Sequence, residues 1–314
     1  MNEKTRIVSL IASATEVICS LGLEDALVGI SHECDYPASI TNRPRLSEPQ
    51  LDPTASSAEI DDKVRSIVQS GLSVYTIDEK ILASLEPTLI ITQNHCEVCA
   101  VSQKDVERAT RAITGINTNV CTLHPNTLED VYRDIRTVAQ HAQIPSKGDD
   151  LVTEMQARLL RLEERSSASS SRPTIACVEW LMPAMVAGGW MPALVQKAGG
   201  QPVLVHEGDA FQTVDWERIL ASDPEVLVLM PCGFPVQQTL KELATDSALR
   251  ERLAPLKAVQ NNRAFVVDGN AYFNRPGPRL VDSAEILASL LHPKIFKEFR
   301  QQYQESIVCL NDAL

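Results

Sequence analysis

The sequence contains no run of about 20 apolar residues, the length that a membrane-spanning helix needs, so we expect no membrane insertion. Its N-terminus has no long apolar core and no cleavage site behind a basic head, because Met1-Asn2-Glu3-Lys4-Thr5-Arg6 leads directly into the short run Ile7-Val8-Ser9-Leu10. The sequence as written predicts a cytoplasmic protein, or a periplasmic one if a leader has been removed.

Basic residues are in the minority. Lys and Arg number 29 against 41 Asp and Glu, which gives a formal net charge of −12. An acidic surface repels phosphate backbones, which argues against nucleic acid as a partner. Hydrophobic residues make up 44% of the chain, enough to fill the cores of two domains in a chain of this length.

Catalytic signatures are missing as well. The sequence has no Gly-x-Ser-x-Gly elbow, no phosphate-binding glycine loop and no His-Glu-x-x-His helix. No pair of residues is recognisable as a nucleophile with its base. These absences favour a protein that binds a small molecule over an enzyme that transforms one.

Cysteine is sparse, with 8 residues in 314, too few for a disulfide scaffold. In a reducing compartment the cysteines would be thiols or metal ligands. The densest group of soft ligands is Asn94-His95-Cys96-Glu97-Val98-Cys99, which follows the apolar run Leu89-Ile90-Ile91-Thr92. A Cys-x-x-Cys pair is typical of a zinc half-site, a redox pair or an iron–sulfur ligand pair, and the position of the remaining ligands decides between them.

Short apolar runs alternate with longer segments of helical period, which predicts an α/β protein with two Rossmann-like lobes and parallel sheets. The predicted strands cover 7–10, 27–30, 89–92, 120–123, 174–178, 202–205, 226–230 and 264–268. A helix predicted from Lys147 to Glu164 would be roughly 30 Å long and would join the lobes. We therefore predict an N-terminal lobe over 1–145, a connecting helix over 146–168, and a C-terminal lobe with a terminal helix over 169–314.

One sequence unit occurs in both halves of the chain. The segments 78–91 and 215–228 each predict a short helix, followed by an acidic residue, a proline and a buried strand. The two copies show one residue's difference in spacing. We interpret the two halves as copies of one lobe.

Taken together, these features resemble the periplasmic-binding-protein family that captures vitamin B12, iron–siderophores and haem. The resemblance rests on Ile7-Val8-Ser9-Leu10 followed by Ser13-Ala14-Thr15-Glu16, on Ala198-Gly199-Gly200, on the two repeated units and on the helix from Lys147. It covers nearly the whole chain and is closest to the B12-binding members. It implies two lobes joined by a rigid helix, and a ligand that is held without chemical change. The missing leader and the cysteine set depart from the family's usual pattern.

Ligands of such folds bind outside the carboxyl ends of the strands, so the segments that follow the predicted strands define a candidate cleft between the lobes. The predicted ligand-binding residues are His32, Glu33, Cys34, Tyr36, His95, Glu179, Trp180, Trp190, Phe211, Phe234, Tyr272, Phe273 and Arg275. The aromatic side chains would form apolar walls, and Arg275 would offer a bidentate fork to a carboxylate or phosphate. The alternatives are core packing for the aromatic side chains and a loop salt bridge for Arg275.

Four cysteines fall at predicted strand ends. They are Cys34, Cys96, Cys99 and Cys232. As a set they would suit zinc or an iron–sulfur cluster, with His32 or His95 replacing one of them. Alternatively, a thiolate or imidazole would be an axial ligand to the cobalt of a corrinoid or the iron of haem. Ordinary thiols and a disulfide switch across the cleft also remain open.

Two hypotheses about function follow. The first is a binding protein that holds a cobalamin-like corrinoid or another metal chelate. The second is a cytosolic metal-binding protein or enzyme with a Cys/His zinc or iron–sulfur site. By resemblance, exported members of the family dock on an ABC transporter permease through one acidic residue on each lobe, for which Glu79 and Glu217 are the nearest positions. An exposed helix face without a partner is the alternative for both glutamates.

Overall fold

The computed structural model describes residues 5–70, 73–93 and 118–313 of the 314-residue chain. The chain divides into two compact units. Unit 1 comprises Met1–Ala55, Asp62–Pro125 and Glu129–Glu154, and unit 2 comprises Ser56–Asp61, Asn126–Leu128 and Met155–Leu314.

Unit 1 is built on a parallel sheet. The strands described in it are β1 (Ile7–Ser9), β2 (Leu27–Ile30), β3 (Ser47–Pro49), β4 (Tyr75–Ile77), β5 (Leu89–Gln93) and β6 (Asn119–Leu123). Four of them pair in the order β2-β1-β5-β6, all parallel, while β3 and β4 form a separate antiparallel pair. Each residue of β1 and of β5 is buried, as expected for central strands covered on both faces.

The helices described in the first half connect these strands. They are α1 (Ala12–Ser20), α2 (Ser57–Gln69), α3 (Glu79–Leu85), α4 (Leu128–His141) and α5 (Pro145–Ser166). The predicted connecting helix is α5, which is two residues longer at each end than expected. Pro145 begins this helix, because the first turn of a helix has no need of the proline's missing N–H. The predicted domain boundaries themselves stay a prediction.

Unit 2 contains a larger mixed sheet. Its strands are β7 (Thr174–Trp180), β8 (Met185–Val186), β9 (Gln201–Pro202), β10 (Gln212–Thr213), β11 (Val226–Leu229), β12 (Ala264–Val267) and β13 (Ile307–Cys309). The order is β10-β8-β7-β11-β12-β13, with β9 paired to β7. The central strands β7, β11 and β12 are parallel, and β13 is antiparallel to β12. Together the two sheets confirm the predicted α/β fold class.

One predicted strand is much shorter than expected. The pattern over 202–205 predicted four strand residues, whereas β9 ends at Pro202. Leu204 has a φ of 73°, which is incompatible with an extended strand. The backbone therefore turns away from the sheet before Val205.

The helices of unit 2 surround its sheet. They are α6 (Met191–Lys197), α7 (Trp216–Ser222), α8 (Val236–Thr245), α9 (Ser247–Leu253), α10 (Lys257–Gln260), α11 (Leu280–Leu291), α12 (Lys297–Gln302) and α13 (Leu310–Ala313). Every residue of α11 except Asp282 is buried, because this helix is apolar on nearly all sides. Among the helices that the structure describes, none combines the length and the apolar character needed to cross a membrane.

The repeated unit has the same backbone course in both halves. Asp78 and Asp215 precede the seven-residue helices α3 and α7, which end at left-handed residues, Glu86 with a φ of 43° and Asp223 with a φ of 38°. A proline and one further residue then lead into β5 and β11. The two helices have the same length and the spacing from cap to strand is equal, so the one-residue difference expected from the sequence is absent.

Asp134 provides a pH-dependent prediction in unit 1. Its carboxylate accepts a hydrogen bond from the His124 backbone N–H at 3.0 Å and is 8% exposed. Burial raises the pKa of Asp134 from its ordinary value to about 6. Since the folded state then binds a proton more tightly than the unfolded chain, the ionised carboxylate costs stability as the pH rises from about 4 to about 6.

We therefore expect Asp134→Asn to be more stable than the unchanged protein above pH 6, by roughly 1–3 kcal/mol from the size of the pKa shift. The amide oxygen keeps the acceptor for His124. Urea unfolding at pH 4, 5, 6 and 8 would measure the difference, which should grow with pH and then level off. The exposed substitution Asp150→Asn is the control. A difference that does not change with pH would contradict the expectation.

Candidate functional site

The loop that follows β2 contains the first group of predicted ligand-binding residues. His32 Nδ1 lies 2.8 Å from Ser47 Oγ, and the same hydroxyl accepts the His32 backbone N–H at 3.1 Å. The imidazole packs against the Tyr75 ring with 5.0 Å between the ring centroids. Strands β3 and β4 contribute Ser47 and Tyr75, so this antiparallel pair orients the histidine.

The electrostatics of this loop keep the imidazole neutral. Burial, and secondarily the positive charge of Arg45, lower the pKa of His32 to about 4. The Arg45 guanidinium donates to the carbonyl of Ser31 at 3.2 Å and to the carbonyl of His32 at 2.5 Å. At neutral pH His32 is therefore a neutral base, able to donate an electron pair.

Cys34 lies at the back of the same loop. It is fully buried, and its Sγ is 3.0 Å from Thr15 Oγ1 and 3.2 Å from Ser31 Oγ. Burial raises the pKa of the Cys34 thiol, even though hydrogen bonds from Ser31 and Thr15 act in the opposite direction. In this arrangement the thiol joins the loop to α1.

Two further predicted residues of the loop lie nearer to solvent. Glu33 Oε1 is 3.7 Å from His32 Nε2, and the Glu33 side chain is 39% exposed. Tyr36 is 47% exposed. The structure thus brings three predicted side chains, those of His32, Glu33 and Tyr36, to accessible positions on one loop.

The Cys-x-x-Cys segment lies outside the described residues. The structure follows β5 as far as Gln93 and resumes at Thr118, so the predictions for His95, Cys96 and Cys99 stay predictions. The six cysteines of the described chain are free thiols. Within that same part of the chain, no group of three or more His, Cys, Asp or Glu side chains could hold a metal ion.

In unit 2, the ends of β7 and β11 bring together the second group of predicted residues. The Cys232 backbone N–H donates to the Glu179 carbonyl at 2.9 Å. The rings of Trp180 and Phe234 meet edge to face with 5.3 Å between centroids. Glu179 and Phe234 are buried, whereas Trp180 and Cys232 are half-buried, so the latter two have surface to offer a ligand.

Trp190 and Phe273 are buried packing partners. Trp190 Nε1 donates to the Phe273 carbonyl at 2.8 Å, and the Trp190 ring lies 5.4 Å from that of Phe211. Phe273 has a φ of 66°, a conformation that is strained for a bulky residue. Its N–H donates to Ser283 Oγ at 2.9 Å, so both of its peptide groups are held. This geometry favours the packing alternative for Trp190 and Phe273.

The loop after β12 contains the remaining predicted residues. Arg275 is 7% exposed, and its Nη2 donates to Asn270 Oδ1 at 2.9 Å. Tyr272 is half-buried, with the Arg279 guanidinium 5.3 Å from its ring centroid. The loop thus holds one buried cation and one partly accessible aromatic ring.

Sequence reasoning missed the residues that position these side chains. Ser47 and Arg45 fall in a segment with no predicted strand, and β3 and β4 are only three residues long. Strands this short show too little alternation to be detected. Nothing in the sequence indicates that Asn270 contacts Arg275 or that Ser283 contacts Phe273.

The two predicted docking glutamates lie in the first turns of the repeated helices. Glu79 is exposed on α3, and Glu217 on α7 is 71% exposed, 3.7 Å from Arg252 Nη1. Both positions are accessible, and their docking role stays a prediction.

Each unit is thus an α/β domain that carries candidate ligand groups after the carboxyl ends of parallel strands. A family model described as periplasmic binding protein matches residues 7–271. The chain therefore belongs to the periplasmic binding protein family.

Known proteins with similar sequences span most of this chain. The vitamin B12-binding protein of Vibrio cholerae is 22% identical over 289 residues, which cover 91% of this chain and 88% of the relative. YvrC of Bacillus subtilis, an uncharacterised ABC transporter substrate-binding lipoprotein, is 23% identical over 299 residues, 94% of this chain and 82% of the relative.

Solved structures share the fold. A periplasmic haem-binding protein from Pseudomonas aeruginosa superposes with a TM-score of 0.69 at 20% identity, over 92% of this chain and 93% of that chain. The vitamin B12-binding protein BtuF of Vibrio cholerae superposes with a TM-score of 0.63 at 21% identity, over 93% and 98% of the two chains. At these identities the likeness concerns the fold alone.

Proposed function

We propose that this protein is the substrate-binding component of an ABC transporter and that its ligand is a metal chelate, either a cobalamin-like corrinoid or a related tetrapyrrole. The observation that carries the proposal is the family match over residues 7–271, together with vitamin B12-binding relatives that align over most of the chain. The sequence resemblance noted above supports the same class of ligand.

The chemistry of the described loops is compatible with such a ligand. His32 offers a neutral imidazole, which suits iron and cobalt. Trp180 and Tyr272 offer half-buried aromatic rings that could lie against a flat macrocycle. When bound, the chelate would supply only its own metal and its own side groups for recognition, and the protein's residues would bind and orient it.

Binding without chemical change fits the residues that the structure describes. Two basic groups of the candidate loops are engaged in structural contacts, Arg45 with the Ser31 carbonyl and Arg275 with Asn270. Ligand selection would then depend on shape, apolar contact and a small number of polar groups.

Calorimetric titration of the whole chain with hydroxocobalamin, aquacobinamide and hemin tests the proposal. We expect saturable binding of at least one of the three with one ligand per chain. Trp180→Ala should weaken that binding, because it removes an accessible ring, while the surface substitution His141→Gln should not change it. If all three titrations give no heat of binding beyond dilution, the proposal is wrong.

Metal analysis of the same purified protein separates this proposal from the metal-site hypothesis. Stoichiometric zinc or iron that disappears in Cys96→Ser would favour a Cys/His site as the protein's main function. Protein that carries no tightly bound metal and binds a chelate would favour the proposal made here.

A further inference from the structure

One imidazole in unit 1 is held at one ring nitrogen, while the other accepts or donates no hydrogen bond among the residues that the structure describes. His32 Nδ1 lies 2.8 Å from Ser47 Oγ. Because a hydroxyl oxygen has two lone pairs, Ser47 can accept both the Nδ1 proton and the His32 backbone N–H, which is 3.1 Å away. The Tyr75 ring, 5.0 Å from the imidazole, limits rotation of the side chain.

The second ring nitrogen has a different environment. Among the described residues, the nearest ionisable partner of His32 Nε2 is Glu33 Oε1 at 3.7 Å, beyond hydrogen-bond distance. The His32 side chain is 21% exposed.

We propose that His32 Nε2 is an axial ligand to the metal of the bound chelate and that Ser47 is the positioning residue which fixes the ring for this role. The inference rests on the proposed function, since it names the residue through which the chelate's metal is recognised. Histidines that ligate metals almost always donate their other ring N–H to a fixed partner, as His32 can donate to Ser47.

The number of donors that a chelate's metal requires is compatible with a single imidazole. A structural zinc site needs four protein ligands. A metal that already carries the equatorial nitrogens of a macrocycle needs only one or two axial ligands, and a single histidine is sufficient. His32 alone would therefore be enough to coordinate the metal of a chelate.

Absorption spectroscopy tests the proposal independently of transport. Hemin and aquacobinamide change their visible spectra when an imidazole replaces an axial water. We expect the wild-type chain to give the spectrum of the imidazole-coordinated probe. His32→Gly should lose this spectrum, and free imidazole added to His32→Gly should restore it. His32→Gln serves as a second variant, in case His32→Gly fails to fold.

Two further variants define the roles. Ser47→Ala should retain the coordinated spectrum at saturation but bind the probe roughly 10-fold more weakly, as expected when the orienting partner of a metal ligand is removed. His141→Gln replaces an exposed histidine of α4 in the same unit and should leave the spectrum unchanged.

The outcomes separate this inference from the proposed function. If the wild-type chain binds a probe and both His32 variants keep the same spectrum and affinity, the axial role is wrong while the proposed function stands. If no probe binds to the wild-type chain, both are wrong. Loss of the coordinated spectrum together with its rescue by imidazole would support both.

Discussion

Replacing Gly269 with alanine is expected to destabilise unit 2 by about 3 kcal/mol, at the upper end of the cost of overpacking. A Cβ at this position would lie 2.1 Å from the Pro231 carbonyl oxygen and 2.7 Å from the Met230 carbonyl oxygen. Both atoms belong to the backbone after β11, so no side-chain rotation can relieve the clash. The loops after β11 and β12 would have to separate.

The same separation would break hydrogen bonds that join the two loops. Asn274 Nδ2 donates to the Met230 carbonyl at 3.1 Å and to the Gly269 carbonyl at 3.0 Å. Tyr272 and Arg275 lie in the same loop as Gly269 and Asn274, so their positions should change as well. Urea unfolding would measure the loss of stability, and the titrations described above would measure the effect on binding.

Gly233 provides the matched control. It has a φ of +76°, but a Cβ built there meets no atom within 4 Å. Gly233→Ala should therefore cost only about 1–2 kcal/mol, the usual penalty for a left-handed non-glycine residue. Equal losses for the two variants would show that backbone conformation, and not the close approach at Gly269, determines the effect.

The second large effect is expected when Arg158 is replaced by methionine. Arg158 on α5 donates from Nη2 to Asp282 and to Glu285 of α11, each at 2.8 Å. The second carboxylate oxygen of Glu285 accepts the Tyr303 hydroxyl at 2.6 Å. Burial works against the charge of Arg158, but the hydrogen bonds to Glu285 and Asp282 outweigh it, and the pKa of the guanidinium is raised.

Without the arginine, two neighbouring carboxylates would remain partly buried with no cation between them. Removing one partner of a buried ion pair lowers the free energy of unfolding by about 3–5 kcal/mol. Since the Arg158 and Asp282 side chains are 32% and 22% exposed, we expect a loss near the lower end, roughly 3 kcal/mol. Chemical denaturation at pH 7 measures it.

Two comparisons make this prediction specific. Arg136→Met removes an exposed ion pair with Asp149, which should cost at most about 1 kcal/mol. In the double variant Arg158→Met with Glu285→Gln, part of the lost stability should return, because one unpaired charge is removed. A loss for Arg158→Met no larger than that for Arg136→Met would contradict the expectation.

The fold could be predicted from the sequence to a large extent, because its signals are local. The buried strands β5 and β11 stand out as apolar runs, and each follows a short helix and a proline. Where the local signal is weak, the prediction failed. Leu204 adopts a left-handed conformation that nothing in its chemistry demands, and β9 ends early as a result.

The candidate site could be predicted only as a set of loops. The rule that ligands bind beyond the carboxyl ends of parallel strands identified the segments after β2, β7, β11 and β12. It could not tell an accessible side chain from a buried one within a segment. In the loop after β2, Cys34 is enclosed by Thr15 and Ser31, while Tyr36, two residues further on, is exposed.

The amino-acid sequence by itself determined that this protein is α/β, that its halves share a helix-proline-strand unit, and that its surface is acidic. These properties depend on composition and on periodicity over a few residues. Only the tertiary structure decided that Ser47, fifteen positions further along the chain, holds His32 Nδ1, with Nε2 3.7 Å from Glu33 Oε1. The physical reason is that this contact depends on where β3 and β4 lie against the end of β2, and no local pattern encodes the placement of one strand pair against another loop.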